Sequence, residues 1–329
     1  EDGIRDSSTS RGLGDVYKRQ EEINMKIILM GQQAFGKSAL EKFHTETNHD
    51  VVAVYCAPDK EGKPADPVKD YAQSVGLPVF QPSNFKDQEV LDQIKSHDAD
   101  LCVMAYVTIF VPEGARDIPK HGSICFHPSL LPLHRGPSSI NWPIIGGATK
   151  TGLTIFYPND GLDEGEILLQ KEVEIGPDDT LGDVYFSKIF PLGVDACIEA
   201  ADMMEAGNPP RIVQDETKAT YESWCKKADA RIDWKKPGRE IYNLIRGCNP
   251  QPGAWAEFMG DEFTFVDTKF NDQQSAEHFP GQIISINAEN IEIAVKGGFI
   301  EVSRFKSDQG KLYVKDMNTA VFTEGDLFS

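Results

Sequence analysis

The sequence predicts an α/β fold built on a mostly parallel sheet, followed by a small C-terminal open β-barrel of OB-like kind. Three observations predict it. From Met25 onward, short continuous β-rich runs alternate with amphipathic helical stretches, the pattern of βαβ units. A long helical pattern then stops at Gly207. Beyond residue 230 the chain changes to short alternating strands punctuated by glycine.

The elements follow in order. "KIILMG" reads as a strand and "KSALEKFHTE" as its helix; "VVAVYCA" is followed by the helical "DPVKDYAQSVG"; "DQEVLDQIKSH" precedes the strands "ADLCVMAYV" and "HGSICFH". "GLTIFYP" and "EILLQKEVEI" read as a hairpin-like pair. "TLGDVYFSKIFPLGVDACIEAADMMEAG" carries apolar residues at helical spacing and closes a first domain spanning 25–207. A polar, weakly periodic stretch, 208–229, reads as a linker. The barrel domain, 230–329, contributes the helix "PGREIYNLIRG" and strands turning at Gly260-Asp261 and Gly297-Gly298. Residues 1–24 are polar, aperiodic and rich in Gly, Ser and Arg; they read as a non-native or disordered extension and are set aside from the fold.

Composition narrows the function. The formal net charge is −19, from 33 Lys+Arg and 52 Asp+Glu, and without residues 1–24 it is −17, from 29 against 46. Such a balance opposes binding to a phosphate backbone unless a local basic patch compensates, which favours a small-molecule substrate. The six cysteines have no C-x-x-C or zinc spacing, so neither a disulfide framework nor a metal site is expected. Reduced thiols, the lack of an apolar run near the roughly 18 residues of a spanning helix, and a start without a signal-peptide core all point to a cytoplasmic protein without membrane contact.

Gly31-x4-Gly36-Lys37-Ser38 has the letters of a phosphate-binding P-loop and lies between the first strand and first helix. Its interior, Gln32-Gln33-Ala34-Phe35, carries a bulky aromatic and no extra glycine. No apolar strand ends in an Asp suited to hold Mg²⁺, because Asp59 lies past a proline. The pattern reads as accidental.

The densest unusual stretch is "HGSICFHPSLLPLHRGPSSINW", followed by "TGLTIFYPNDGLDEGEILLQ". His127-Pro128-Ser129-Leu130-Leu131-Pro132, Arg135-Gly136 and Gly161-Leu162-Asp163-Glu164-Gly165 resemble the signature of the folate-dependent formyltransferase family. That family includes glycinamide ribonucleotide and methionyl-tRNA formyltransferases and the hydrolase domain of 10-formyltetrahydrofolate dehydrogenase. The resemblance runs from Met25 to near the C-terminus and is closest in texture to that hydrolase domain, through "PDKEGKPADPVKDYA", "SSINW", "PDDT" and "IRGCNPQPGAW". It implies a Rossmann-like formyltransferase domain and a C-terminal barrel, with a glycine loop at the first turn.

Moving a formyl group off N10 of a folate passes through a tetrahedral intermediate, which needs a donor to the oxyanion and a base for the nucleophile's proton. His127 and Asp163 suit these roles, and the family's catalytic His and Asp fall on them. Family transferases carry an Asn two residues before the His; here the position is Cys125, which shares a strand face with His127 and offers only a weak S–H donor. The hydrolase domain of the dehydrogenase also lacks that Asn, so Cys125 favours water as acceptor. By resemblance the folate pterin lies against Met104, Tyr106, Val107, Thr108 and Phe110, with Ser129 and Asp160 completing the folate contacts and the 160–163 loop reading the pterin edge. A lone His at a strand end or an Asp in a turn can be purely structural, as can a buried Met104, Phe110 or Cys125; the pairing of His127 and Asp163 within one motif carries the functional reading. His44, His49, His97 and His278 read as surface residues, while His121 and His134 flank the motif.

The expected reaction is hydrolysis of 10-formyltetrahydrofolate, or formyl transfer to a small amine, without metal or NADP. A chain ending at "LFS" is expected to act without a carrier or oxidising half. Methionyl-tRNA formyltransferase is the alternative, opposed by the loop "APDKEGKPADPVKD", whose Lys60, Lys63 and Lys69 are balanced by Asp59, Glu61, Asp66 and Asp70. An amino-sugar-nucleotide formyltransferase, with Lys37 or Arg135 meeting a phosphate, and a non-catalytic folate-binding module are further alternatives.

Overall fold

The computed structural model describes residues 25–273, 278–308, 310–316 and 321–329; the extension read at 1–24 lies outside them. The first sheet is formed by β1 (Lys26–Gly31), β2 (Asp50–Tyr55), β3 (Val79–Phe80), β4 (Leu101–Ala105), β5 (Ser123–His127), β6 (Lys150–Phe156) and β7 (Ile167–Glu174) in the order β3-β2-β1-β4-β5-β6-β7. The first five are parallel, and β6 pairs antiparallel with both β5 and the edge strand β7, as the hairpin-like reading expects. β3 is two residues long, too short for an apolar pattern to reveal.

Consecutive residues of β1 face opposite layers. Ile27 and Leu29 join Val103, Ile124 and Phe126 in one core, covered by α1 (Gln33–Glu46), α2 (Pro67–Ser74) and α6 (Phe190–Glu205). Ile28 and Met30 join Cys102 and Met104 in the other, covered by α3 (Gln88–Ser96) and the short α4 (Glu113–Arg116). Two-sided burial explains why these strands read as continuous apolar runs. A π-helical segment, Asp183–Ile189, leads directly into α6, and Gly193 lets α6 approach closely: a Cβ there would lie 2.5 Å from the Phe126 ring.

The short α5 (Asn141–Ile145) joins the two halves. Asn141 Nδ2 donates to the Gly247 and Gln251 carbonyls at 2.9 and 3.0 Å, at the end of α7 (Gly238–Gly247). The second sheet is wholly antiparallel and curled: β10 (Ile283–Ile286), β11 (Ile291–Val295), β12 (Gly298–Ser307), β9 (Asp261–Asn271) and β8 (Trp255–Phe258), with β13 (Gly310–Tyr313) also pairing β12. Its core contains an aromatic cluster, with Trp234, Phe263, Phe265 and Phe305 packed around Phe328. The two tight turns fall one residue earlier than the glycine pattern suggests. Met259-Gly260 links the paired Phe258 and Asp261, and Lys296-Gly297 links Val295 and Gly298. Both residues of the first turn have positive φ, as a two-residue turn matched to sheet twist demands.

Segment 208–229 is pinned along the first domain. Ile212 bridges Ile167, and Tyr221 bridges Arg135. Among the described residues no helix is long and apolar enough to cross a membrane.

Candidate active site

The order β2-β1-β4-β5 places a topological switch between β1 and β4, and ligands in such sheets bind beyond the carboxyl ends of the strands. Gly31, Ala105 and His127 are the last residues of β1, β4 and β5, so the glycine turn, the 106–110 loop and the His motif converge at that edge. The glycines serve packing: a Cβ on Gly31 would lie 2.7 Å from the Ala105 carbonyl, and one on Gly36 3.0 Å from the Gly31 carbonyl carbon.

The P-loop letters do not form an anion cradle. The Gln33 amide at the start of α1 donates to both Asp66 oxygens, at 2.8 and 3.0 Å, and Asp66 also accepts the Val68 amide of α2. A carboxylate of the chain itself therefore occupies the end of α1 that would attract phosphate. Lys37 lies over the Tyr71 ring, 6.0 Å from its centroid.

His127 and Asp163 come together. Nδ1 of His127 lies 3.6 Å from Asp163 Oδ2, and both side chains are largely buried. The other ring nitrogen, Nε2, is 3.0 Å from the His134 carbonyl, which can only accept, so Nε2 carries a proton and Nδ1 is the nitrogen presented to Asp163. Asp163 Oδ2 also accepts the Gly136 amide at 2.7 Å. Asp163 has φ +57°, the left-handed region that a Cβ-bearing residue rarely adopts. The turn after β5 is fixed by buried Thr154, whose hydroxyl donates to the Ser129 carbonyl and accepts the Leu131 amide.

Cys125 lies one strand repeat below His127, against Leu131, Phe156 and Ile167. Burial pushes its thiol well above the ordinary range, and the nearby Asp163 carboxylate adds to the rise. The sulfur is thus a neutral group next to the carboxylate, with only weak donor capacity.

The expected folate contacts divide. Tyr106 and Phe110 are 43% and 57% exposed at the strand-end edge. Thr108 accepts from Gln32 Nε2 at 2.6 Å, tying the glycine turn to this loop, and Val107 packs partly into the core below. Asp160 lies on the neighbouring loop, paired with Arg116 at 2.8 Å. Two residues are buried. Ser129 is fully buried, and its hydroxyl donates to the Leu133 carbonyl within the turn. Met104 is 3% exposed and forms core beneath the site. Strand position alone did not reveal either depth.

Other expectations change as well. His49 is buried and sits 2.9 Å from Asp202, and His97 packs against Tyr55, 3.0 Å from its hydroxyl; His44 and His278 are exposed. Arg135 is completely buried and saturated by Gln214, Glu216 and Tyr221, so it has no donor left for a phosphate. Glu216 pushes Arg135 further up, while Arg135 holds the Glu216 carboxyl below the ordinary carboxylate range. His134 is paired with Glu222 at 2.9 Å, and its carbonyl is the one that fixes His127.

Gln214, Glu216, Tyr221 and Glu222 are the residues that motif reading missed. They lie in the polar 208–229 stretch, and their partners are roughly 50 to 90 positions away. No local periodicity marks them.

The fold is a mostly parallel sheet, with a His-Asp pair at its strand ends, joined to a curled antiparallel sheet, and the comparisons give the family. The formyl transferase family model matches residues 25–190, and the formyl transferase C-terminal domain matches residues 225–321. The chain belongs to the formyl transferase family. It is 40% identical over 299 residues to the cytosolic 10-formyltetrahydrofolate dehydrogenase of Xenopus tropicalis, covering 89% of this chain and 32% of that protein. The chain thus spans about a third of the length of the dehydrogenases it matches. It is 34% identical over 293 residues to the methionyl-tRNA formyltransferase of Fusobacterium nucleatum, covering 87% of this chain and 94% of that one. Among solved structures, an N-formyltransferase from Helicobacter canadensis in complex with folinic acid and dTDP-3-aminofucose shares the fold, with a TM-score of 0.63 at 18% identity over 88% of this chain and all of that one. HypX from Aquifex aeolicus with tetrahydrofolic acid does so at 0.63 and 15%, over 93% of this chain and 51% of that one.

Proposed function

We propose that the protein hydrolyses 10-formyltetrahydrofolate to tetrahydrofolate and formate. The observation that carries the reading is the 3.6 Å approach of His127 Nδ1 to Asp163 Oδ2 at the strand-end edge, with Cys125 in place of an amide donor below. Asp163 takes a proton from water as the water oxygen bonds to the formyl carbon. A proton on His127 Nδ1 stabilises the oxyanion of the tetrahedral intermediate. The C–N10 bond then breaks, and N10 receives the proton held by Asp163. The folate ring system lies against Tyr106, Val107, Thr108 and Phe110 and meets the 160–163 loop. Without a side-chain amide at position 125, one oxyanion donor is missing, a loss of about 3 kcal/mol in a comparable acyl-transfer site; this favours a slow, water-accepting reaction over transfer to a dedicated amine.

The names of the relatives support folate and formyl chemistry and leave a second acceptor open. Methionyl-tRNA is favoured by the near full-length match to the Fusobacterium protein. Against it, Lys69 is tied to Asp59, Asp66 is committed to two helix starts, and the net charge of −19 opposes tRNA. The six unpaired thiols suit a reducing cytoplasm. The test supplies 10-formyltetrahydrofolate with water alone, with charged initiator methionyl-tRNA, or with an amino-sugar nucleotide. Formate release independent of acceptor supports hydrolysis; product formed only with tRNA or sugar nucleotide replaces it by the corresponding transferase.

A further inference from the structure

We propose that Gln214, aligned by the buried Arg135, is a positioning residue that holds Asp163 in its working conformation. The inference rests on the reading of Asp163 as the base of formyl hydrolysis.

Asp tolerates the left-handed region better than most residues, yet it samples other conformations unless its surroundings hold it there. Asp163 is held from two sides. Its carboxylate accepts the Gly136 amide. Its backbone is held by Gln214, whose Nε2 donates to the Asp163 carbonyl at 2.8 Å and the Gly165 carbonyl at 2.7 Å. Gln214 is 5% exposed and could in principle be turned end for end, which would aim its oxygen at those carbonyls and destroy both bonds. Arg135 prevents this. Its Nε and Nη2 donate to Gln214 Oε1 at 3.2 and 2.8 Å, so the amide NH₂ can only face the 163–165 loop.

Arg135 is itself immobilised. Its fork grips Glu216 at 2.6 and 2.9 Å, and Nη1 donates to the Tyr221 hydroxyl at 2.6 Å, which in turn donates to Glu164 at 2.7 Å. Two adjacent residues therefore control Asp163 from both ends: Gly136 directly at the carboxylate and Arg135 through Gln214 at the backbone. Loss of the Gln214 bonds frees residues 163–165 to leave the left-handed conformation, which moves the carboxylate off His127, while Asp160 stays held by Arg116 and the 106–110 loop is untouched. Turnover should fall while substrate affinity holds.

The test uses the full chain and measures kcat and KM with 10-formyltetrahydrofolate, binding stoichiometry by tetrahydrofolate fluorescence titration, and the thermal midpoint. Gln214→Met, isosteric but without the amide, is expected to lose at least tenfold in kcat with KM within twofold and binding sites per chain unchanged. Glu216→Gln, which weakens the same network but leaves Arg135 on Gln214, is expected to lower the thermal midpoint and keep kcat within threefold. Should Gln214→Met fail to fold, Gln214→Asn, one carbon too short to span the gap, carries the same expectation. Turnover of the Gln214 variant within threefold of the parent, or equal kcat losses in the Gln214 and Glu216 variants, overturns the proposal. Asp163→Asn separates the two ideas: turnover in it removes the underlying reading, whereas an inactive Asp163→Asn beside a fully active Gln214 variant removes the positioning role alone.

Discussion

The Asp163 carboxylate stands 3.6 Å from the His127 imidazole, and the same oxygen accepts the Gly136 amide. Gly136 has φ +91°, and a Cβ there would lie 2.6 Å from the Glu222 carbonyl. Gly136→Ala therefore strains the backbone and pushes against the segment that covers it, at a cost of roughly 1–3 kcal/mol. Because the moved atom is the donor to Asp163, kcat should fall along with the thermal midpoint. A variant that loses stability but keeps full turnover would separate Gly136 from the alignment of Asp163.

Cys125 is a neutral, poorly donating group below the pair. Cys125→Ala should keep acceptor-independent formate release within about threefold, because a thiol contributes little to an oxyanion. Loss of a hundredfold, measured as kcat at saturating folate, would make the sulfur a participant in the chemistry.

Buried thiols set an alkaline limit on stability. Burial pushes Cys102 and Cys197 from 9.0 up to about 12 and Cys56 up to about 11. Above pH 9 the unfolded chain releases these protons while the folded chain keeps them, so stability falls by about 1.4 kcal/mol per pH unit for each thiol, up to about pH 11 for Cys56 and about pH 12 for Cys102 and Cys197. Below pH 9 both states hold the protons and the effect vanishes. Thermal scans at pH 7, 9 and 10 should show a decline that is shallower in Cys197→Ala; identical slopes in parent and variant would contradict it.

Lys37→Ala should leave turnover within about twofold, and inorganic phosphate should not compete with folate, because Asp66 already occupies the start of α1. Asp66→Ala removes that contact and the cap of α2, and should cost about 0.5–2 kcal/mol by denaturant titration. Strong phosphate inhibition of the parent protein would restore an anion site at the glycine turn.

What could be read from the sequence was local, and what could not was long-range. β1 and β5 announce themselves as apolar runs because both faces are buried, and His127 and Asp163 stand in short motifs. Depth was harder to read: Ser129 and Met104 occupy plausible positions but face the turn and the core. The support of the site lay hidden because Gln214, Glu216 and Glu222 carry no periodic signal, and each acquires its role from a partner far along the chain. The same cause makes a stretch that reads as linker into a strap beside the His127–Asp163 pair.

The most direct measurement compares acceptor-free release of formate and tetrahydrofolate from 10-formyltetrahydrofolate by the parent protein and by Asp163→Asn, with folate binding followed in parallel. The parent should release both products in equal amounts with only water present. The variant should bind folate with similar affinity and turn over slower by a factor on the order of 10²–10⁴, as loss of a general base requires. Formate release by Asp163→Asn at the parent rate, or none from the parent without an added amine, would contradict hydrolysis by the His127–Asp163 pair.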